Sequence, residues 1–180
     1  MNLKTLRSVV MGVLSGNQTD EPLHYGEVFA VWSYYAASKA GVATLQTYMN
    51  HTGDEDLRNL IDEMLRSSKP EIEQVETVLK ENGIALPPVP PERPEASLDQ
   101  IPAGARINDP EISAALSKNL AEGLVACSQA MGQATREDIA MMFGQFHLNK
   151  AQFGARMLRL NKEKGWIIPP PLHVRVPEPV

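Results

Sequence analysis

The chain has 180 residues, of which 43% are hydrophobic and 22% charged, and its formal net charge at pH 7 is −5. These values are typical of a soluble globular domain, and the acidic balance argues against a nucleic-acid-binding surface. The single cysteine, Cys127, excludes an intrachain disulfide bond and fits a protein of the reducing cytoplasm.

Residues 1–18 are predicted to form a short amphipathic helix. Apolar side chains recur there at helical spacing, namely Leu3, Leu6, Val10, Val13 and Leu14. The apolar run is short and Gly12 interrupts it, so a secretory signal peptide is not expected. No run of the sequence is long and apolar enough to predict a membrane span.

The first two long helices are predicted from their capping residues. The first should run from about Pro22 to about Thr52, with Thr19 and Asp20 as capping side chains. Gly53 should end it.

Asp54 should then cap a second helix that ends at Gly83. Pro70 lies inside this helix. Proline removes one backbone hydrogen bond and clashes with the preceding turn, so a kink is expected, and a break into two helices is the alternative.

The stretch from Ile84 to Asp109 is predicted to be a long crossover. Its prolines show no apolar periodicity and are Pro87, Pro88, Pro90, Pro91, Pro94 and Pro102. A polyproline-type segment of roughly 14 residues covers about 43 Å, and a helix of roughly 28 residues covers about 42 Å. The link can therefore run the whole length of a helix bundle.

The third helix should start at Asp109–Glu111, where a cap, a first-turn proline and an acidic residue follow one another. It should end near Ala134. Thr135 and Asp138 are interpreted as a capping pair that starts the fourth helix, which should end at Gly165.

Together these elements predict an all-α fold, a ferritin-like four-helix bundle over residues 19–166 with a long crossover between helices 2 and 3. An extended proline-rich tail should follow over residues 167–180. Small residues are dense on the first and third helices, which predicts close packing of helices there.

Polar side chains on two apolar stripes suggest a metal site. His24 and Glu27 share the stripe of the first helix, and His147 and Lys150 share that of the fourth. A di-iron bundle needs Glu-x-x-His on two helices. Gly144 stands three residues before His147, where a glutamate would be needed, so ferroxidase chemistry is not expected.

A smaller metal site stays possible. In the expected topology the start of the first helix lies level with the end of the second and the start of the fourth, so Glu76 and His147 come within reach of His24 and Glu27. Two imidazoles and one or two carboxylates could bind one transition metal ion. Alternatively, the buried His24 and Glu27 bond to each other, to a helix cap or to water, as buried polar groups usually do.

Five stretches of the sequence resemble a known family. They are Pro22–Val28, Asn50–Thr52, Gly83–Glu92, Phe153–Gly154 and Lys164–Trp166. The chain is similar there to a ferritin-like family of bacterial proteins of unknown function, found mainly in bacilli and related to spore coat protein F. The resemblance implies the bundle fold, the long crossover and a structural or spore-associated role for a protein made in the cytoplasm. It implies no catalytic residues.

These observations lead to three functional hypotheses. The first is a non-enzymatic structural or interaction protein that self-associates, with a homodimer as the simplest form. The second is a metal-binding bundle that uses His24, Glu27, His147 and Glu76. The third, a small-ligand carrier, rests only on methionines in the later helices, which more often fill gaps in a core. No catalytic residue is predicted, and Cys127, on an apolar stripe, is interpreted as an inert core thiol.

Overall fold

The computed structural model describes residues 21–171 and 173. This part of the chain forms four α-helices and contains no strand: α1 (Tyr25–His51), α2 (Glu55–Glu81), α3 (Asp109–Gln133) and α4 (Glu137–Glu163). The predicted all-α class is confirmed. The predicted helix over residues 1–18 and most of the predicted tail lie outside the described residues. None of the described helices is long and apolar enough to cross a membrane.

The helices pack in two pairs, α1 with α2 and α3 with α4. The predicted crossover joins α2 to α3 and lies along α1, whose polar side chains bind its backbone. Trp32 Nε1 donates to the Ala85 carbonyl (3.2 Å), Gln46 Oε1 accepts from Arg93 N (2.7 Å), Asn50 Oδ1 accepts from Ala96 N (3.0 Å), and His51 Nδ1 accepts from Ile107 N (3.0 Å). The crossover therefore follows most of the length of α1, as its proline content predicts.

The first helix begins later than predicted. Its N-cap is His24, and regular structure starts at Tyr25, because the His24 side chain already binds the free N–H groups of the first turn. The predicted caps Thr19 and Asp20 lie outside the described residues. The helix ends at His51, one residue before the predicted end.

The second helix is continuous through its proline. Asp54 Oδ1 accepts from Leu57 N (3.0 Å), which confirms the predicted cap. Because α2 runs unbroken from Glu55 to Glu81 with Pro70 inside it, the alternative of two separate helices is wrong. Gly83 ends the helix with φ 68°, a left-handed conformation that glycine adopts without a Cβ clash.

The cap of α3 is shifted by one residue from the prediction. Asn108 Oδ1 accepts from Glu111 N (3.1 Å), and Glu111 Oε2 accepts from Asn108 N (3.0 Å), a reciprocal capping box. Asp109 is thereby free to reach another loop, where its Oδ1 accepts from Thr52 Oγ1 (2.6 Å) and Gly53 N (3.1 Å). The start of α3 is thus tied to the α1–α2 turn.

The hydrophobic core has two clusters, one at each end of the bundle. One cluster contains Val31, Tyr34, Val75, Leu79, Cys127, Phe143 and Phe146. The other contains Leu45, Leu57, Ile61, Ile112, Leu116 and Met157. Cys127 is fully buried in the first cluster, and burial raises its thiol pKa. Along each helix the two clusters are separated by a short middle stretch.

Candidate functional site

His24 is a helix cap. Its Nδ1 accepts from Gly26 N (2.9 Å), so Nε2 carries the proton and donates to the Gln133 carbonyl (3.1 Å). The His24 N–H in turn donates to Glu27 Oε2 (3.1 Å). Both ring nitrogens are therefore bonded to protein groups at the point where α1 begins and α3 ends.

Glu27 joins the start of α1 to the start of α4. Its side chain is only 2% exposed, and its Oε1 accepts from the backbone N–H of Thr135 (2.7 Å) and of Arg136 (2.8 Å). Burial by itself raises the pKa of Glu27, but the hydrogen bonds from the backbones of Arg136, His24 and Thr135 outweigh it, and the pKa is lowered overall. Glu27 is thus a buried carboxylate held charged by fixed donors.

The predicted Thr135–Asp138 capping pair is wrong. The N-cap of α4 is Arg136, whose side chain makes no capping bond. The Thr135 hydroxyl instead donates to Glu27 Oε1 (3.3 Å), and Arg136 Nη2 pairs with Asp138 Oδ2 (2.7 Å). The sequence pattern fails here because a carboxylate from a distant helix occupies the place of the local cap.

The other two predicted metal ligands are placed apart from this pair. Glu76 accepts from the Tyr35 hydroxyl (3.0 Å) and pairs with Lys80 on its own helix. His147 is half-buried on α4. Across residues 21–171, no three His, Cys, Asp or Glu side chains come close enough together to hold a metal ion. Only His24 and Glu27 are neighbours, with 3.8 Å between Nε2 and Oε2, and the metal hypothesis stays a prediction.

A second polar cluster lies where the first core cluster, which contains Tyr34, meets the middle stretch. Glu71 Oε2 accepts from the Tyr34 hydroxyl (2.8 Å) and Glu71 Oε1 from Asn149 Nδ2 (2.8 Å). Lys150 Nζ donates to the Tyr34 hydroxyl (2.6 Å) and to Glu71 Oε2 (3.3 Å). Burial, followed by the charge of Glu71, raises the pKa of Tyr34, so the phenol stays protonated and donates. We call these four residues the central polar cluster.

The central polar cluster could be anticipated only in part. Lys150 lies on the apolar stripe of α4, and a charged side chain in that position predicts a buried partner of opposite charge. Glu71 lies at the margin of the α2 stripe, where carboxylates commonly face solvent. The pairing depends on the levels of two helices that the long crossover separates, so helical spacing alone does not predict it.

An open groove lies above the central polar cluster. It runs between α1 and α3, which contact each other over a short stretch only, and its volume is about 700 Å³. Small residues form much of its walls: Ala37, Ala40, Gly41, Gly123, Ala126 and Ala130. The small residues therefore leave a groove between these helices, where the sequence predicts close packing.

The surface around the groove carries few charged side chains, and Glu122 on α3 is one of them. Between Gly26 and Asn50, α1 carries two charged side chains, the buried Glu27 and the half-buried Lys39. The second half of α3, residues 123–133, carries none. Phe29 is 69% exposed and Val125 is 58% exposed. We call the outward side of α1 with the second half of α3 the α1/α3 face. The face therefore presents apolar and uncharged polar side chains.

The fold and these sites define a ferritin-like four-helix bundle. A two-domain protein from Anabaena variabilis that contains DJ-1/ThiJ/PfpI-like and ferritin-like domains matches with a TM-score of 0.61, at 13% identity over 94% of this chain and 52% of its own. This match confirms the predicted ferritin-like fold and carries no function.

The chain belongs to the family described as "Protein of unknown function (DUF3231)", whose model matches residues 11–178. The uncharacterized protein YvdQ of Bacillus subtilis is 57% identical over 165 residues, which is 92% of this chain and 97% of YvdQ. A crystal structure of a candidate spore coat protein from Bacillus halodurans is also 57% identical, with a TM-score of 0.86 over 88% of this chain and all of its own. The predicted family resemblance is thereby confirmed.

Proposed function

We propose that this protein is a non-enzymatic structural or interaction protein that self-associates as a homodimer through the α1/α3 face and is associated with the spore. The observation that carries the proposal is the exposure of an almost uncharged helix face beside an open groove. Structural proteins of an assembly work through such surfaces and need no reactive groups.

The bonding of the polar side chains supports a structural role. His24 and Glu27 bind helix ends, and the charged members of the central polar cluster bind each other and their neighbours. Groups held in this way rigidify a core, because moving any one of them leaves a partner unpaired.

A second copy fits the α1/α3 face in size. At 1.5 Å per residue α1 is about 40 Å long and residues 123–133 of α3 are about 16 Å long, and each helix is about 10 Å wide. The face therefore measures roughly 560 Å², which is close to the roughly 600 Å² that each partner buries in the smaller specific interfaces.

A second copy also fits the face in chemistry. In a two-fold dimer each surface meets itself, so like charges near the axis repel. The charge-poor α1/α3 face avoids that repulsion, and its alanines and glycines allow helices to approach closely.

The spore association is supported by the relative from Bacillus halodurans, which is described as a candidate spore coat protein and shares 57% of its residues with this chain. We propose that the protein is made in the cytoplasm and then becomes part of, or attached to, the spore. Its presence in the coat fraction of purified spores, detected by immunoblotting, tests this part of the proposal.

The dimer is tested by sedimentation equilibrium of the purified full chain. The double variant Ala37→Glu/Ala40→Glu places charges on the exposed α1/α3 face and should weaken the dimer by roughly 100-fold, because like charges facing each other cost several kcal/mol. The matched control, Ala151→Glu/Ala155→Glu, changes exposed alanines on the outer side of α4 and should leave the dimer intact. A strictly monomeric wild-type protein would contradict the proposal.

A further inference from the structure

We infer that the groove between α1 and α3 binds a single-chain amphiphile with a neutral, oxygen-bearing head group, such as a long-chain alcohol. The apolar chain of the ligand lies along one half of the groove, and its head oxygen accepts a hydrogen bond from Lys150. The inference goes beyond the proposed function and does not depend on the homodimer.

The groove reaches into the interior of the bundle. All four helices contribute to its walls, including Met64 and Ser68 of α2 and Phe153 of α4. Ligand sites commonly lie between the helices of a bundle, have volumes of roughly 300–1,000 Å³ and are mostly apolar with a few placed polar groups. The volume of this groove, about 700 Å³, falls within that range.

One half of the groove exposes the core cluster that contains Leu57. The side chains that line this half belong to that cluster or pack against it, and they are Leu45, Met64, Leu116, Leu120 and Phe153. The distance along α1 from Tyr34 to Leu45 is about 16 Å at 1.5 Å per residue, which is close to the length of an extended dodecyl chain. An unbranched apolar chain can therefore cover this surface, and removing apolar surface from water favours binding.

Lys150 supplies the polar end of the site. Its ammonium group has three N–H donors, of which one donates to the Tyr34 hydroxyl (2.6 Å) and one to Glu71 Oε2 (3.3 Å). The third has no acceptor among the residues that the structure describes. Because Lys150 lines the groove, a ligand oxygen at this point can use the remaining donor.

Gly123 allows the lysine to reach the groove. A Cβ atom at position 123 would lie 2.9 Å from both Cδ and Cε of Lys150, which is closer than the roughly 3.5–4.0 Å that non-bonded carbon atoms prefer. The stem of Lys150 therefore crosses α3 at a residue without a side chain, and its ammonium group reaches the groove from α4.

The charge balance of the site favours a neutral head group. Lys150 and Glu71 already compensate each other at 3.3 Å. A carboxylate head would leave a net negative charge beside Glu71, and an ammonium head would lie next to Lys150. Either charge would lose water without gaining a free partner of opposite sign, whereas a hydroxyl oxygen accepts from Lys150 without that cost.

A second copy of the chain does not replace the ligand. In a two-fold dimer each surface meets itself near the axis, so one groove faces the other, and two concave surfaces do not fill each other. Ligand binding is therefore compatible with a monomer and with the proposed dimer.

Equilibrium dialysis of radiolabelled dodecan-1-ol against the purified full chain tests the site. The alcohol should bind saturably, with one molecule per chain. It should bind roughly tenfold more tightly than laurate or dodecylamine, which carry a chain of the same length with a charged head. No saturable binding of the alcohol, or tighter binding of either charged molecule, would overturn the inference.

The position of the apolar chain is tested by filling its half of the groove. Gly41 lines the groove, and a Cβ atom placed there meets no atom of the described structure within 4 Å. Gly41→Leu should fold, because leucine favours a helix more than glycine does. It should weaken alcohol binding roughly tenfold, the loss expected when about two methylene groups of the ligand stay in water.

The matched control for the filled groove is Gly132→Leu. Gly132 is an exposed glycine of α3 outside the walls of the groove, so this variant should bind the alcohol as wild type does. Equal affinities of the Gly41→Leu and Gly132→Leu proteins would overturn the placement of the chain.

The head contact is tested with Lys150→Met. Loss of the donor should weaken binding of dodecan-1-ol roughly tenfold. Dodecylamine should bind this variant more tightly than it binds wild type, because Glu71 then lacks its cation. Gly123→Ala keeps the charge but displaces the lysine stem, so it should also weaken alcohol binding. Unchanged alcohol affinity in both variants, each shown to be folded by circular dichroism, would overturn the head contact.

Sedimentation equilibrium of the same samples separates this inference from the proposed function. A strict monomer that binds the alcohol supports the ligand site and contradicts the homodimer. A dimer that binds no alcohol supports the homodimer and contradicts the ligand site.

Discussion

At the scale of single residues, Glu27 is the most consequential polar side chain of the described structure. One carboxylate accepts hydrogen bonds from the backbones of His24, Thr135 and Arg136, so it completes the cap of its own helix and replaces the missing cap of α4. Hydrogen bonds to a buried charged group contribute about 1.5–3 kcal/mol. Glu27 lies in the Pro22–Val28 stretch that resembles the family, and its role in holding two helix starts together accounts for a glutamate at that position.

Replacing Glu27 should make the free energy of unfolding less dependent on pH in the acidic range. Its pKa is lowered in the folded protein, so its contribution is fully present above its ordinary value of 4.5 and is lost as pH falls through the folded value. Glu27→Gln should reduce the free energy of unfolding by about 2–3 kcal/mol at pH 7. The gap from wild type should narrow as the pH falls below 4.5.

Urea denaturation at a series of pH values measures both quantities for Glu27→Gln. The control is Glu137→Gln, an exposed acidic residue in the first turn of α4, which should change stability by less than about 1 kcal/mol. A loss at position 27 that is the same at every pH would show that the charge of Glu27 does not contribute.

At the scale of elements, α2 keeps a proline where a helix normally excludes one. Pro70 is exposed and lies inside the continuous helix. It has no N–H to donate to the carbonyl four residues earlier, and its ring crowds that carbonyl. The packing of Leu57, Leu60, Ile61, Ile72 and Val75 on both sides of the proline holds the helix together.

Replacing Pro70 by alanine should therefore stabilise the protein. The helix gains about 3 kcal/mol from the better residue, and the more flexible unfolded chain offsets about 1 kcal/mol, which leaves about 2 kcal/mol. Pro110→Ala is the matched control, because proline near the start of α3 meets no such penalty. Chemical denaturation of both variants measures the difference, and a destabilised Pro70→Ala protein would mean that the native backbone requires the proline.

The capping residues also show how far the sequence predicts these elements. Asp54 acts within its own helix turn, so the local pattern identifies it correctly. The N-cap of α3 is Asn108, one residue before the predicted Asp109. Asp109 instead binds Thr52 in the α1–α2 turn, a contact that the local sequence does not predict. Thr135 has the right spacing for a cap, yet Glu27 supplies the acceptor from another helix, which no local pattern contains.

At the scale of the whole molecule, polar contacts join the α1–α2 pair to the α3–α4 pair at both ends and in the middle. Glu27 does so at one end, the central polar cluster in the middle, and Asp109 at the other end. The fold class and the crossover follow from proline content and helix period alone. The central polar cluster does not follow from these patterns, because the pairing of Glu71 with Lys150 depends on how the two helix pairs are placed and rotated relative to each other.

The pair of Glu71 and Lys150 should show strong energetic coupling. Their side chains are 11% and 21% exposed, and the distance from Lys150 Nζ to Glu71 Oε2 is 3.3 Å. Removing one partner of a buried pair costs about 3–5 kcal/mol, while replacing both with apolar residues is often neutral. Allowing for the open groove, Lys150→Met should cost about 2 kcal/mol. Lys150→Met/Glu71→Met also takes the acceptor away from the Tyr34 hydroxyl and the Asn149 amide, but it should cost less than the sum of the two single losses.

A double-mutant cycle with urea denaturation measures this coupling. The chain offers a matched pair between the same two helices, Arg156 with Glu63, whose side chains are 45% and 42% exposed at 2.7 Å. Exposed pairs contribute about 0–1 kcal/mol, so the cycle with Arg156→Met and Glu63→Met should give a coupling well below that of the central pair. If the losses at Glu71 and Lys150 simply add, the central polar cluster does not act as a unit. The two helix pairs are then held together by their apolar cores and by the other polar contacts between them.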